Sequence, residues 1–149
     1  MTALAMATPL MANPFTGARV AVTAGVDDVT KSVDKSDVTY GGLVGFDVPV
    51  SDNVVVGVAA NVDNLFNRRD IGVTGRLGYV VSDDTLLYVN SGYSNYSDVL
   101  SRKLDGLSVG AGVEHNLSDN VFLGASYKYT DFENGVGKNG VSLSFGVRF

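Results

Sequence analysis

The sequence predicts an all-β fold, an eight-stranded antiparallel up-and-down transmembrane β-barrel. Three observations predict it. First, Val141–Phe149 (VSLSFGVRF) is apolar at every odd position and Ser, Gly or Arg at every even one. A strand has a side-chain period of two, so this segment has one apolar face and one small, polar face. Second, one polar turn recurs as near copies at Val50-Ser51-Asp52-Asn53-Val54, Val81-Ser82-Asp83-Asp84-Thr85 and Leu117-Ser118-Asp119-Asn120-Val121. Ser, Asp and Asn suit a tight link because their short side chains bond nearby backbone and tolerate left-handed conformations. Third, the charges within strand interiors all fall on one parity, which leaves the other parity free to face lipid.

Composition agrees. The 149 residues make one domain, and charged residues are 18% of it, below the roughly 25% usual in soluble domains. Apolar content is 45%, as alternating strands give. The net charge of −5 argues against a nucleic-acid partner, which calls for a basic patch. With no Cys there is neither disulfide nor thiolate chemistry. No apolar run reaches the roughly 18 residues of a membrane-spanning helix.

The elements follow in order. Residues 1–12 hold a small, apolar stretch from Thr2 to Ala12, ahead of Asn13-Pro14. It matches the apolar region and small-residue cleavage site of a secretory signal, although no Lys or Arg precedes Arg19. It is expected to be a signal-peptide remnant or a disordered tail. The barrel domain is expected over 13–149. Its strands are expected at Gly17–Val26, Val38–Val50, Val54–Asp63, Asp70–Val81, Leu86–Tyr96, Leu104–Leu117, Val121–Phe132 and Gly140–Phe149. Longer polar connections lie between them at Asp27–Asp37, Asn64–Arg69, Ser97–Lys103 and Glu133–Asn139. Short turns on one side and longer loops on the other are the habit of membrane barrels.

The two faces read as lipid and lumen. Val20, Val22, Val44, Phe46, Val56, Val58, Val73, Leu77, Val89, Val109, Leu123 and Leu143 share the apolar face. The opposite face carries Gly, Ser, Thr and Asn together with Arg19, Asp47, Arg76, Glu114, Lys128 and Arg148. A lipid-facing charge costs about 2–4 kcal/mol near the bilayer midplane, so the six belong in the lumen. In so narrow a space they must pair, because an unpaired buried charge costs several kcal/mol. A plugging salt-bridge network is expected, with Arg76 and Glu114 central; a narrow, slightly anion-preferring pore is the alternative. Aromatics are expected in two girdles at the membrane interfaces, Phe15, Phe46, Tyr79 and Phe149 at the short-turn end and Tyr40, Tyr93 and Tyr129 at the long-loop end.

Catalytic and metal chemistry find little support. His115 is the single His, beside Glu114 and near Ser118. Strand neighbours point to opposite faces, so Glu114 cannot orient His115 as a triad requires. The Asp27–Asp37 loop lacks the Asp-x-Asp-x-Asn-Gly calcium pattern. No catalytic, cofactor or metal residue is expected.

The closing strand, the repeated turns, Gly78-Tyr79-Val80-Val81 leading into Leu86-Leu87-Tyr88-Val89, Gly110-Ala111-Gly112-Val113-Glu114 and Tyr127-Lys128-Tyr129 together resemble the small eight-stranded outer-membrane barrels of Gram-negative bacteria. That family includes the transmembrane domain of OmpA, OmpX and the opacity-type porin-family proteins. The resemblance implies an outer-membrane address. It implies that Phe145, Val147 and Phe149 form the signal read by the outer-membrane assembly machinery. The partners it implies are outer-membrane lipid and lipopolysaccharide, with a host or cell-surface ligand at the loops, for a monomeric protein. The expected role is structural or surface-exposed, in envelope integrity or adhesion; a narrow porin is the first alternative and a lipid-modifying enzyme the second.

Overall fold

A computed structural model of the chain describes residues 13–29, 36–65, 68–97, 103–132 and 136–149. The expected signal-peptide remnant at 1–12 lies outside the described residues, as does the middle of the Asp27–Asp37 loop. The strands are β1 (Gly17–Val29), β2 (Ser36–Pro49), β3 (Val54–Leu65), β4 (Arg68–Ser82), β5 (Thr85–Ser97), β6 (Lys103–Asn116), β7 (Val121–Phe132) and β8 (Val136–Arg148). Each pairs antiparallel with its sequence neighbours, and β8 returns to β1 to close the barrel. Closure leaves no strand edge unpaired, the condition for a sheet in lipid.

Register fixes the barrel's shape. From Arg19, successive partners are Gly45, Ala59, Thr74, Gly92, Ser108, Thr130 and Lys138, and the path re-enters β1 at Val29. It returns higher on the strand than it left, so the strands tilt steeply and the lumen has room only for side chains and a small cavity.

The expected faces hold. Val44 is 60% exposed and Leu107 62%, whereas Arg76 on the other parity is 5% exposed. Phe46, Tyr79, Phe149, Tyr40, Tyr93 and Tyr129 all stand on the outer surface. The tight turns close as expected; Val50 N–H donates to Val54 O at 2.8 Å and Leu117 N–H to Val121 O at 2.8 Å.

Two expectations need correction. The strands continue past the points where apolar alternation lapses: Asp27 and Asp28 pair with Asp37 and Ser36, and β8 begins at Val136 rather than Gly140. Alternation is demanded only where one face meets hydrocarbon. Backbone pairing continues beyond it, so the barrel is taller than its greasy band. The second correction is Phe15, which is fully buried at the short-turn end and belongs to no outer girdle. Asn13 Oδ1 accepts a hydrogen bond from Phe15 N–H at 3.1 Å and Asn13 O accepts one from Thr16 N–H at 3.2 Å. This turn carries the ring under the lumen, against Val55 and Leu86.

Candidate functional site

The lumen is the candidate site, and its lower half is a chain of alternating charges. Its centre is a row across three strands, Asp47 on β2 opposite Gly57 on β3, and Gly57 opposite Arg76 on β4. A Cβ at Gly57 would collide with Asp47 Oδ1. The glycine therefore lets carboxylate and guanidinium meet over the bare backbone between them. They meet as a fork: Arg76 Nε donates to Asp47 Oδ1 at 2.9 Å and Arg76 Nη2 to Asp47 Oδ2 at 2.6 Å. Two parallel charge-assisted bonds fix orientation as well as supply energy.

From Arg76 the chain runs both ways. Arg76 Nη1 donates to Glu114 Oε2 at 2.8 Å, and Glu114 Oε1 accepts a bond from Arg148 Nη2. On the other side Arg19 Nε lies 2.9 Å from Asp47 Oδ2. That last contact is an ion pair by distance without hydrogen-bond alignment, since Arg19 Nε has no hydrogen-bond partner. Arg19 and Arg148 stand directly opposite each other on β1 and β8, an arrangement that repels unless each cation has its own acid. Asp47 and Glu114 supply those acids. All five side chains are at most 7% exposed.

Aromatic and aliphatic groups fill the remaining space below. Arg148 lies 5.4 Å from the Phe15 ring centroid and 5.3 Å from that of Phe122, and Arg76 lies 5.1 Å from that of Tyr88. Arg148 Nη1 and Asn116 Nδ2 both donate to Pro14 O, each at 3.4 Å, which ties the Asn13–Thr16 turn to the barrel floor. Phe15, Val55 and Leu86 are 0% exposed and Phe122 is 1% exposed. A water-filled channel would expose its lining; this half of the lumen is packed.

Above the charges lies a polar cavity of about 130 Å³. Arg19, Arg76, Glu114, Tyr88 and Phe122 form its lower lining, and Thr23, Asn61, Asp63, Ser126, Lys128, Ser142 and Ser144 are among its walls. Toward the loop end, Lys138 Nζ sits 2.5 Å from Asp27 Oδ2. Asp63 accepts from Thr23 Oγ1 at 3.4 Å and from Asn61 Nδ2 at 2.9 Å. Lys128, expected in the charge network, lines this cavity instead and makes no ion pair with a described residue. The described lumen cations are thus Arg19, Arg76, Lys128, Lys138 and Arg148, against the acids Asp27, Asp47, Asp63 and Glu114. Among these described side chains one positive charge is in excess.

The structure adds Asp27, Asp63, Lys138, Tyr88, Phe122, Leu86 and Val55 to the lumen. Their parity was the available signal. Of the three residues weighed as a triad, Glu114 is buried in the lumen, His115 is exposed with Nδ1 3.0 Å from Thr85 Oγ1, and Ser118 Oγ accepts from Val121 N–H at 3.2 Å. Among the described residues no group of three or more His, Cys, Asp or Glu is placed to hold a metal.

A family model described as an outer membrane protein beta-barrel domain matches residues 1–149. No curated protein sequence matches the chain. Among solved structures it is similar to Ail, the attachment invasion locus protein of Yersinia pestis, at 19% identity over 91% of this chain and 100% of that one, with a TM-score of 0.62. It is similar to Neisserial surface protein A at 17% identity, over 90% of this chain and 98% of that one, with a TM-score of 0.64. The outer membrane enzyme PagL follows at 13% identity, over 87% of this chain and 99% of that one, with a TM-score of 0.56. An attachment protein, a surface protein and an enzyme share this barrel, so the likeness gives the fold and is silent on the task.

Proposed function

This chain belongs to the outer membrane protein beta-barrel domain family, and from that membership we propose that it is an integral outer-membrane barrel with a plugged lumen, whose role is structural or exercised at its loop-end surface rather than by transport or catalysis. The observation that carries this is the packed lower lumen, where the Arg19–Asp47–Arg76–Glu114–Arg148 chain and the Phe15, Val55, Leu86 and Phe122 side chains leave no exposed lining. Solute passage would require the Arg76 fork and the Glu114 pairs to open together, and breaking a buried pair costs about 3–5 kcal/mol. Against an enzymatic role stands the separation of Glu114 from His115 onto opposite faces. The exposed Val141–Val147 face, with Phe149 following it, suits the proposed role of Phe145, Val147 and Phe149 as an assembly signal.

The test is a conductance trace in planar bilayers with the full chain, after folding is verified by a heat-modifiable gel shift. A quiet membrane is expected. Reproducible ohmic steps from the wild-type chain would overturn the plugged reading in favour of the narrow porin. Exchange of the four loops, with binding to cells as readout, then separates a contact role from a purely structural one.

A further inference from the structure

We infer that the upper lumen is a blind-ended binding pocket for a small oxyanion, held at Lys128. Lys128 sits on β7 directly opposite Gly140 on β8, and one inward step below it Ser126 faces Ser142. The two serine oxygens are 2.8 Å apart. Ser144 continues the same wall on β8, and Arg19 closes it from below on β1. A cation with hydroxyl groups beside it and a second cation beneath is the donor set that a phosphate or carboxylate oxygen needs.

Charge accounting points the same way. In this half of the lumen Lys138 already has Asp27, and Asp63 is satisfied by the neutral donors of Thr23 and Asn61. Neither Asp63, on the opposite wall of the eight-strand ring, nor Asp27, whose carboxylate lies over Gly140 beside Lys128, makes an ion pair with the lysine. Below, Arg19 shares Asp47 with Arg76 and has no aligned hydrogen bond at Nε. Among the described side chains that line the cavity, Arg19, Arg76, Lys128 and Lys138 stand against Asp27, Asp63 and Glu114, which leaves one positive charge in excess. A bound monoanion would neutralise it, and the cavity of about 130 Å³ has space for several waters or one small polyatomic anion in their place. Hydrocarbon surrounds the wall and the packed charges close the floor, so the anion enters and leaves from the loop side.

Inorganic phosphate titrated into the full chain tests this. The chain is folded in an uncharged, phosphate-free maltoside detergent, so that no lipid headgroup supplies the anion, and the backbone amide NMR resonances of the cavity residues Ser126, Ser142 and Ser144, which every variant keeps, are followed. Saturable shifts are expected, with affinity at least tenfold weaker in Lys128→Gln and retained in Lys128→Arg. Acetate competing with phosphate for the same shifts would show that the pocket reads an oxyanion rather than phosphate alone. A linear, non-saturating response, or equal affinity in Lys128→Gln, overturns the pocket. The gel shift verifies that both variants fold. The pocket builds on the plugged-lumen reading, but the two fail separately: conductance overturns the plug whatever phosphate does, and absent saturation overturns the pocket in a barrel that remains silent.

Discussion

The two halves of the lumen obey the same parity rule and resolve it differently. At the short-turn end the charges are interleaved, acid between base, each reaching its partner over a strand or a glycine, with aromatic rings beneath. At the loop end the charges are spread on separate walls around a cavity, and hydroxyl and amide groups do most of the hydrogen bonding. The difference follows from water. Charges in the packed lower half have no solvent to fall back on, so only an arrangement in which every acid touches a base is tolerable. In the upper half a cavity stands between the charges, and a charge there can remain without an ionic partner. Packed charge specifies one geometry, and a cavity beside charge leaves room for a guest.

The sharpest way to break the comparison is to remove one acid from each half. Below, Glu114→Gln leaves Arg148 with no acid and Arg76 with Asp47 alone. The expected loss is about 3–5 kcal/mol, read from urea unfolding in lipid vesicles. Arg76→Met removes more hydrogen bonds, yet it leaves Asp47 with Arg19 and Glu114 with Arg148, so its cost should be the smaller of the two. Equal or reversed costs would mean that bond count, not charge balance, governs the lower half. Above, Asp63→Asn keeps the bonds from Thr23 and Asn61 possible and should cost under about 0.5 kcal/mol.

Much of this was legible in the sequence, for identifiable reasons. Alternation in a strand assigns a face without knowledge of the neighbours, and so Arg19, Asp47, Arg76, Glu114, Lys128 and Arg148 could all be sent to the lumen from Val141–Phe149-type patterns alone. Which of them touch was not legible, because that depends on register around the whole ring. Lys128 shares the parity of Glu114 but sits higher on its wall, beyond reach of the chain of charges. Part of the register was recoverable. The tight turn at Val50–Val54 sets Asp47 opposite Gly57, since turn length fixes hairpin pairing. Phe15 was beyond reach for another reason: it precedes β1, where no period applies, and an Asn13 turn decides where its ring goes.

A middle-sized effect tests whether the fork depends on the bare backbone between its strands. Gly57→Ala places a methyl group against the Asp47 carboxylate. The expected cost is about 1–3 kcal/mol, as for other overpacked sites, and most of it should vanish in an Asp47→Ala background. Persistence of the full cost there would locate the problem in the strand and not in the fork.

A small coupling is the most discriminating between the halves. Asp27 and Lys138 make a closer contact than Arg19 and Asp47 do, 2.5 Å against 2.9 Å, so distance alone ranks the upper pair as stronger. Their side chains keep 15% and 17% exposure, where those of Asp47 and Arg76 keep 0% and 3%. Solvent reaching the upper pair screens it. A double-mutant cycle on Asp27→Asn and Lys138→Met should therefore return about 0.2–1 kcal/mol, falling further as salt is raised from 0.1 M toward about 1 M. The same cycle on Asp47 and Arg76 should be larger and almost indifferent to salt, because ions cannot enter where water does not. Matching salt dependence in the two cycles would place water in the lower lumen, and with it the route for solutes that its packing denies.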